Sequence, residues 1–162
     1  MDRSKPNLVA SIKKNDNIKI IEVCISDVDD ETITFNITNN YQSSSILNLK
    51  DHLVEHPWVY ITNTISLKTK TVKTIYDQNN INPTFANFIN IDIQGAELLC
   101  LKGMGDLLNN FDYVYAEVNQ KELYENCALV DQIDEYLKKY NFVRETTVWT
   151  QHGWGDALYV KK

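Results

Sequence analysis

Residues 87–118 constrain the fold more tightly than any other stretch. They read NFINIDI, then a turn at Gly95, then AELLCLKGMGDLLN, and finally YVYAEV at 113–118. The first run, 87–93, is apolar on alternate positions and short enough for a strand. Residues 96–109 space Leu98, Leu101, Met104 and Leu108 for one buried helix face. The last run is a second strand. A helix of this length carries the chain back over the sheet, so the two strands are expected to lie parallel in a βαβ unit. Gly95 lets the backbone turn from strand to helix without a side chain striking its neighbour.

The remaining segments fit around that unit. Residues 18–26 (IKIIEVCIS) form an apolar, β-branched run, expected to be a buried strand. Residues 32–37 (TITFNI) alternate like a half-exposed strand and lead into a polar loop, 38–45. Residues 63–75, rich in Thr, Val and Ile, read as extended, with a turn over 77–83. These two stretches suggest a small β insertion beside a larger sheet. A helix is expected over 129–140, with Leu129, Ile133, Tyr136, Leu137 and Tyr140 on one stripe. Two extended segments, 142–149 and 157–161, flank a Gly153-Trp154-Gly155-Asp156 turn and read as an antiparallel hairpin. The fold class is α/β, and 162 residues are one domain's length, so a single domain over 1–162 is expected.

Composition removes several function classes. A net charge of −6 argues against nucleic acid as the main partner, because counterion release needs clustered Lys and Arg. Three cysteines, Cys24, Cys100 and Cys127, are too few for a zinc or disulfide framework, and reduced, buried thiols are expected. Residues 1–17 are polar, without the apolar core of a signal peptide, and no run approaches a spanning helix. A cytoplasmic protein with no membrane contact is the resulting expectation. The chain holds no G-x-G-x-x-G, no P-loop lysine, no H-E-x-x-H and no G-x-S-x-G elbow.

In an open parallel sheet, ligands bind beyond the carboxyl ends of the strands. Asp92 and Glu117 stand at two such ends. If their strands are neighbours, the tips lie about 5 Å apart. Paired carboxylates there can orient a hydroxyl and accept its proton. Equally, one can cap a helix and the other meet a loop amide; both readings stay open. Glu97, in the first helical turn, is placed where the helix dipole favours a negative charge and needs no ligand. His52 and His56 sit four apart with Pro57 ending their helix, and no metal site is expected. Trp149, His152 and Trp154 surround a glycine turn, either lining a pocket mouth or packing on the sheet edge.

Taken as a set, these residues carry a family resemblance. Ile91-Asp92-Ile93-Gln94-Gly95-Ala96-Glu97-Leu98-Leu99 followed by Leu101-Lys102-Gly103-Met104 resembles the most characteristic motif of the FkbM family of S-adenosylmethionine-dependent methyltransferases. Residues 22–27 (EVCISD), 32–35 and 43–47 (SSSIL) resemble its strand, acidic turn and serine-rich segment. Val72-Lys73-Thr74-Ile75 resembles a strand before the family's Leu-Asp, with Tyr76 where that Asp is expected. Residues 115–119 (YAEVN), 123–125 (LYE) and 155–160 (GDALYV) complete a match reaching from about Asn7. Gln94 departs from the pattern, standing where the family usually has Glu.

The resemblance implies a class I methyltransferase sheet of Rossmann-like type, truncated, with S-adenosylmethionine as cofactor and methyl transfer to a hydroxyl of a sugar or small metabolite. It implies Asp92 and Glu117 as the catalytic residues, and Ser26 with Asp92 on the cofactor side. By the same resemblance the first strand, its glycine-rich loop, the following helix and the second strand have no counterpart here. Three arrangements answer that gap: residues 18–26 pair directly with 87–93, two chains pair across the vacated position as a homo-oligomer, or the chain is part of a larger product. The competing function is a non-catalytic binding or assembly protein that keeps the scaffold.

Overall fold

The computed structural model describes residues 18–162. The expectation for residues 1–17 falls outside the described part. The described chain builds two sheets. One has strand order β1-β3-β2, from Cys24–Ile25, Ile61–Lys70 and Thr32–Thr38. The other has order β4-β5-β7-β6, from Phe88–Ile91, Tyr113–Asn119, Trp154–Lys161 and Phe142–Trp149. This is the mixed α/β arrangement of a truncated Rossmann-like methyltransferase fold with a C-terminal hairpin.

The βαβ unit forms as its apolar rhythm requires. β4 runs parallel to β5, with Phe88 opposite Tyr113 and Ile91 opposite Ala116. Between them lies helix α3, Glu97–Met104, which gives way at Gly105 (φ 51°) to a 3₁₀ turn over Gly105–Asn110. The expected single helix over 96–109 is therefore two pieces. Leu101, Met104 and Leu108 are fully buried, together with Val114, Ala116 and Val118 of β5. Helix α4, Val130–Lys138, adds Ile133 and Leu137 to the same core. β7 pairs antiparallel with both β5 and β6, placing Glu117 directly opposite Asp156.

Two expectations for the first half are corrected. Residues 63–75 are not continuously extended: β3 stops at Lys70, and Val72–Gln78 is helix α2. The Thr71 hydroxyl accepts the Thr74 N–H at 3.1 Å, capping that helix. Asp29 reaches across to accept the Thr71 N–H at 2.8 Å and the Thr74 hydroxyl at 2.6 Å. Val72 and Ile75 then fall on one buried face. Helical caps from a distant loop outweigh the β-branched composition of this stretch.

The second correction concerns residues 18–26. Only Cys24–Ile25 is strand, and it pairs parallel with β3, not with β4 (Cys24 opposite Thr69). Ser26 continues the ladder by donating its N–H to the Lys70 carbonyl at 3.1 Å, and Gly103 of α3 packs directly against the Ser26 carbonyl. Those contacts pin the segment to β3 and α3. Ile18 and Ile20 stay exposed, contrary to a central strand covered on both faces. Between this segment and β4 remains an apolar slot of about 270 Å³, with Ile21, Val23 and Ile25 on one side and Ile89, Ile91 and Ile93 on the other. Among the described residues, β4 has a strand partner on one edge only.

Cys100 and Cys127 are buried and Cys24 half-buried, all three as free thiols. No helix among the described residues is long and apolar enough to cross a membrane. Helix α1, the short His52–Glu55, folds back on the end of β5, where the His52 N–H donates to the Leu123 carbonyl at 3.1 Å.

Candidate active site

β4 ends at Ile91, and the chain leaves it through Asp92 into two consecutive left-handed residues, Gln94 (φ 56°) and Gly95 (φ 96°). At Gly95 a Cβ would stand 3.0 Å from the Tyr124 ring and 3.1 Å from the Cys127 Cβ, so positive φ and close packing both select glycine. The sharp turn brings Glu97 back beneath its own entry strand. Its Oε1 accepts the N–H groups of Ile93 and Gly95 at 3.0 and 3.1 Å. Glu97 is thus more than a surface helix-start charge. It is 2% exposed, and burial lifts its pKa to about 7, with the Asp92 charge adding to the rise and those N–H groups opposing it.

Glu117 comes up from β5 beside it. Burial, and then the charges of Glu97, Asp92 and Asp156, raise its pKa to about 8. Asp156, opposite Glu117 on β7, is raised by burial and by Asp92. Gln94 ties the group together. Its amide Nε2 donates to Asp92 Oδ1 at 2.6 Å and reaches Glu117 Oε2 at 3.5 Å, while its Oε1 accepts the Tyr124 hydroxyl at 2.8 Å. The Ser45 hydroxyl holds the Gln94 carbonyl at 2.7 Å. The structure thus brings Asp92 and Glu117 together across one neutral amide.

Asp92, Glu97 and Glu117 each offer an oxygen within 4.8 Å of the others. Divalent cations take such donors, but the Glu97 oxygen that faces the turn is already occupied by two backbone N–H groups. Asp92 and Glu117 open into a cavity of about 800 Å³, also lined by Tyr41, His52, His56, Trp58, Tyr124 and Trp154. Ser26 is not on this wall. It lies at the end of β1, 3% exposed, with its hydroxyl donating to Asp27 Oδ1 at 3.2 Å. Asp92 borders both the cavity and the apolar slot beside β4.

Gln94, Asp156 and Tyr124 line the cavity and Glu97 adjoins Asp92 and Glu117, none of them a candidate on spacing alone. Strand register could have found Asp156, which follows only from the β5–β7 pairing. His52 and His56 line the cavity without forming a metal group, and the His152 ring packs 4.7 Å from that of His56. His152 Nδ1 meets Glu55 Oε2 at 3.0 Å, and Lys121 pairs with the same carboxylate. Trp154 lines the cavity, whereas Trp149 borders a separate groove along β6.

A parallel βαβ unit whose strand ends carry paired acids, closed by an antiparallel hairpin, is the layout of a mixed α/β domain with a candidate site at its strand ends. The family model "Methyltransferase FkbM domain" matches residues 3–144, and the chain belongs to that family. It is also similar to the 2-O-methyltransferase NoeI of Sinorhizobium fredii (strain NBRC 101917 / NGR234), at 27% identity over 151 residues covering 86% of this chain. The chain spans 61% of that relative's length. No solved structure matches it at a significant level.

Proposed function

We propose that this chain carries the acceptor side of an S-adenosylmethionine-dependent O-methyltransferase, with a hydroxyl of a sugar or small metabolite as the methyl acceptor. The observation that carries this reading is the Asp92–Gln94–Glu117 arrangement at the head of the cavity. Asp92, exposed at the strand end, is the acceptor of the hydroxyl proton. Glu117, protonated near neutrality, donates a hydrogen bond that holds the acceptor oxygen in line. Gln94 fixes both carboxyl groups without adding charge.

S-adenosylmethionine, when bound, supplies an electrophilic methyl on a positive sulfonium. The Asp92 and Asp156 carboxylates in the lining suit that charge. Its methionine and adenosine ends fare less well. Among the described residues the closely spaced glycines are Gly103 and Gly105 at the end of α3, and Gly153 and Gly155 at the β6–β7 turn and the start of β7, and neither pair follows a parallel strand. That observation favours the second reading, a non-catalytic binding protein on the same scaffold.

Transfer of an isotope-labelled methyl from millimolar S-adenosylmethionine to a mixture of neutral sugars separates the two readings. Under the enzymatic reading, label enters the sugars and Asp92→Asn abolishes it. Absence of label above a heat-killed control, or label unaffected by that substitution, overturns it.

A further inference from the structure

The cavity's far wall is built of rings rather than carboxylates. Starting from its mouth, Trp58 lies 5.2 Å from His56, His56 lies 4.8 Å from His52, and His52 lies 5.4 Å from Tyr124, centroid to centroid. Tyr124 then bonds Gln94, which bonds Asp92. A continuous row therefore connects an exposed tryptophan to the candidate catalytic acid, four rings long. Trp58 is 63% exposed and Tyr41, also on the cavity, 59%. Clustered large aromatics left open at a cavity mouth mark a recognition surface.

The chemistry of the lining narrows what is recognised. Among the described residues, three carboxyl groups, Asp92, Glu117 and Asp156, face the cavity, and no Lys or Arg lines it. Lys121, which approaches from β5's end, is already paired with Glu55. Phosphorylated or carboxylated ligands would meet uncompensated negative charge there. Rings, carboxylates, amides and hydroxyls together suit a neutral polyol with apolar C–H faces, which stack on aromatic rings while hydroxyl groups donate to carboxylates. The volume of about 800 Å³ lies in the upper part of the range of ligand pockets and exceeds what one sugar ring fills.

The wall is also held in place. Glu55 anchors α1 through Lys121, just beyond β5, and His152, in the β6–β7 turn. Asn39 fixes the segment after α1 by donating to the Trp58 carbonyl at 3.0 Å and accepting the Tyr60 N–H at 2.9 Å. A platform fixed in this way loses little freedom when a ligand docks.

We propose that Trp58, with His56 and Tyr41, forms an outer subsite for a second sugar unit, so that the ligand of this cavity is a neutral glycan of two or more units. Its reactive unit lies at Asp92 and Glu117, and the neighbouring unit lies against Trp58. The inner placement rests on the methyl-transfer reading above, whereas the outer subsite is a statement about binding.

Fluorescently labelled protein on an array of defined glycans of one to six units, without cofactor, tests it, followed by NMR titration of the best neutral glycan and its component monosaccharide. The expected result is binding of neutral glycans of at least two units, roughly tenfold or more tighter than the monosaccharide, and no binding of phosphorylated sugars. Trp58→Ala should reduce glycan affinity to the monosaccharide level, and Trp58→Phe should restore most of it. Because Trp58 is mostly exposed, an unchanged thermal melt of Trp58→Ala checks that the fold is intact. Equal affinity for one and several units, glycan binding indifferent to Trp58→Ala, or no glycan bound at all overturns the proposal. Glycan binding without methyl transfer would sink the enzymatic reading alone; transfer to a monosaccharide with no gain from further units would sink the outer subsite alone.

Discussion

Gln94 does what a glutamate in its place could not. It gives hydrogen to two carboxyl groups and takes one from Tyr124. A carboxylate there would add a further negative charge to Asp92, Glu97, Glu117 and Asp156. Even with the neutral amide, Glu117 is raised from 4.5 to about 8 and Glu97 to about 7, burial being the larger cause in both. The folded chain therefore binds more protons than the unfolded chain between about pH 4.5 and 8. Stability is full below the unfolded-state value and falls as pH rises through the folded-state values, each unit of elevation corresponding to about 1.4 kcal/mol. Urea unfolding at pH 5 and pH 8.5 should show this loss, and Glu117→Gln should remove much of it. An identical pH slope in the variant would mean that Glu117 does not hold its proton in the folded state.

At the scale of elements, helix α2 shows how few atoms decide an assignment. Thr71→Val keeps the shape of the side chain and removes the oxygen that accepts the Thr74 N–H. Loss of such a cap costs about 1 kcal/mol, which a lowered urea midpoint would report. The β4–α3–β5 unit and the β6–β7 hairpin were legible in the sequence because their apolar periods are long and unmixed. Helix α2 was not, because Val72, Thr74 and Ile75 favour strand locally and the deciding Asp29 contact comes from 42 residues away. Residues 18–23 misled for another reason: their apolar side chains suit a central strand, but α3 and the edge of β3 hold the segment away from β4. In the site, Asp92 and Glu117 were readable as strand ends. Asp156 depends on an antiparallel register, and His52 and His56 depend on α1 folding back to Leu123; neither leaves a local signal.

For the whole molecule, the balance of the site is uneven. Its acidic, ring-lined half is well built, and the described residues offer no glycine-rich turn for the methionine end of the cofactor. Calorimetric titration of the 162-residue chain should therefore find only weak S-adenosylmethionine binding, with a dissociation constant of about 1 mM. A dissociation constant near 10 μM, roughly 7 kcal/mol, would show that other residues complete the cradle. The slot beside β4 has a consequence of a different kind. Among the described residues its apolar walls leave about 270 Å³ that opens to solvent and is wide enough for water. Water held against apolar walls is released at a gain in free energy when an apolar group takes its place. A dye that brightens in apolar surroundings should therefore light up on the native chain, and Ile21→Asp, which sets a charge into the slot's wall, should dim it.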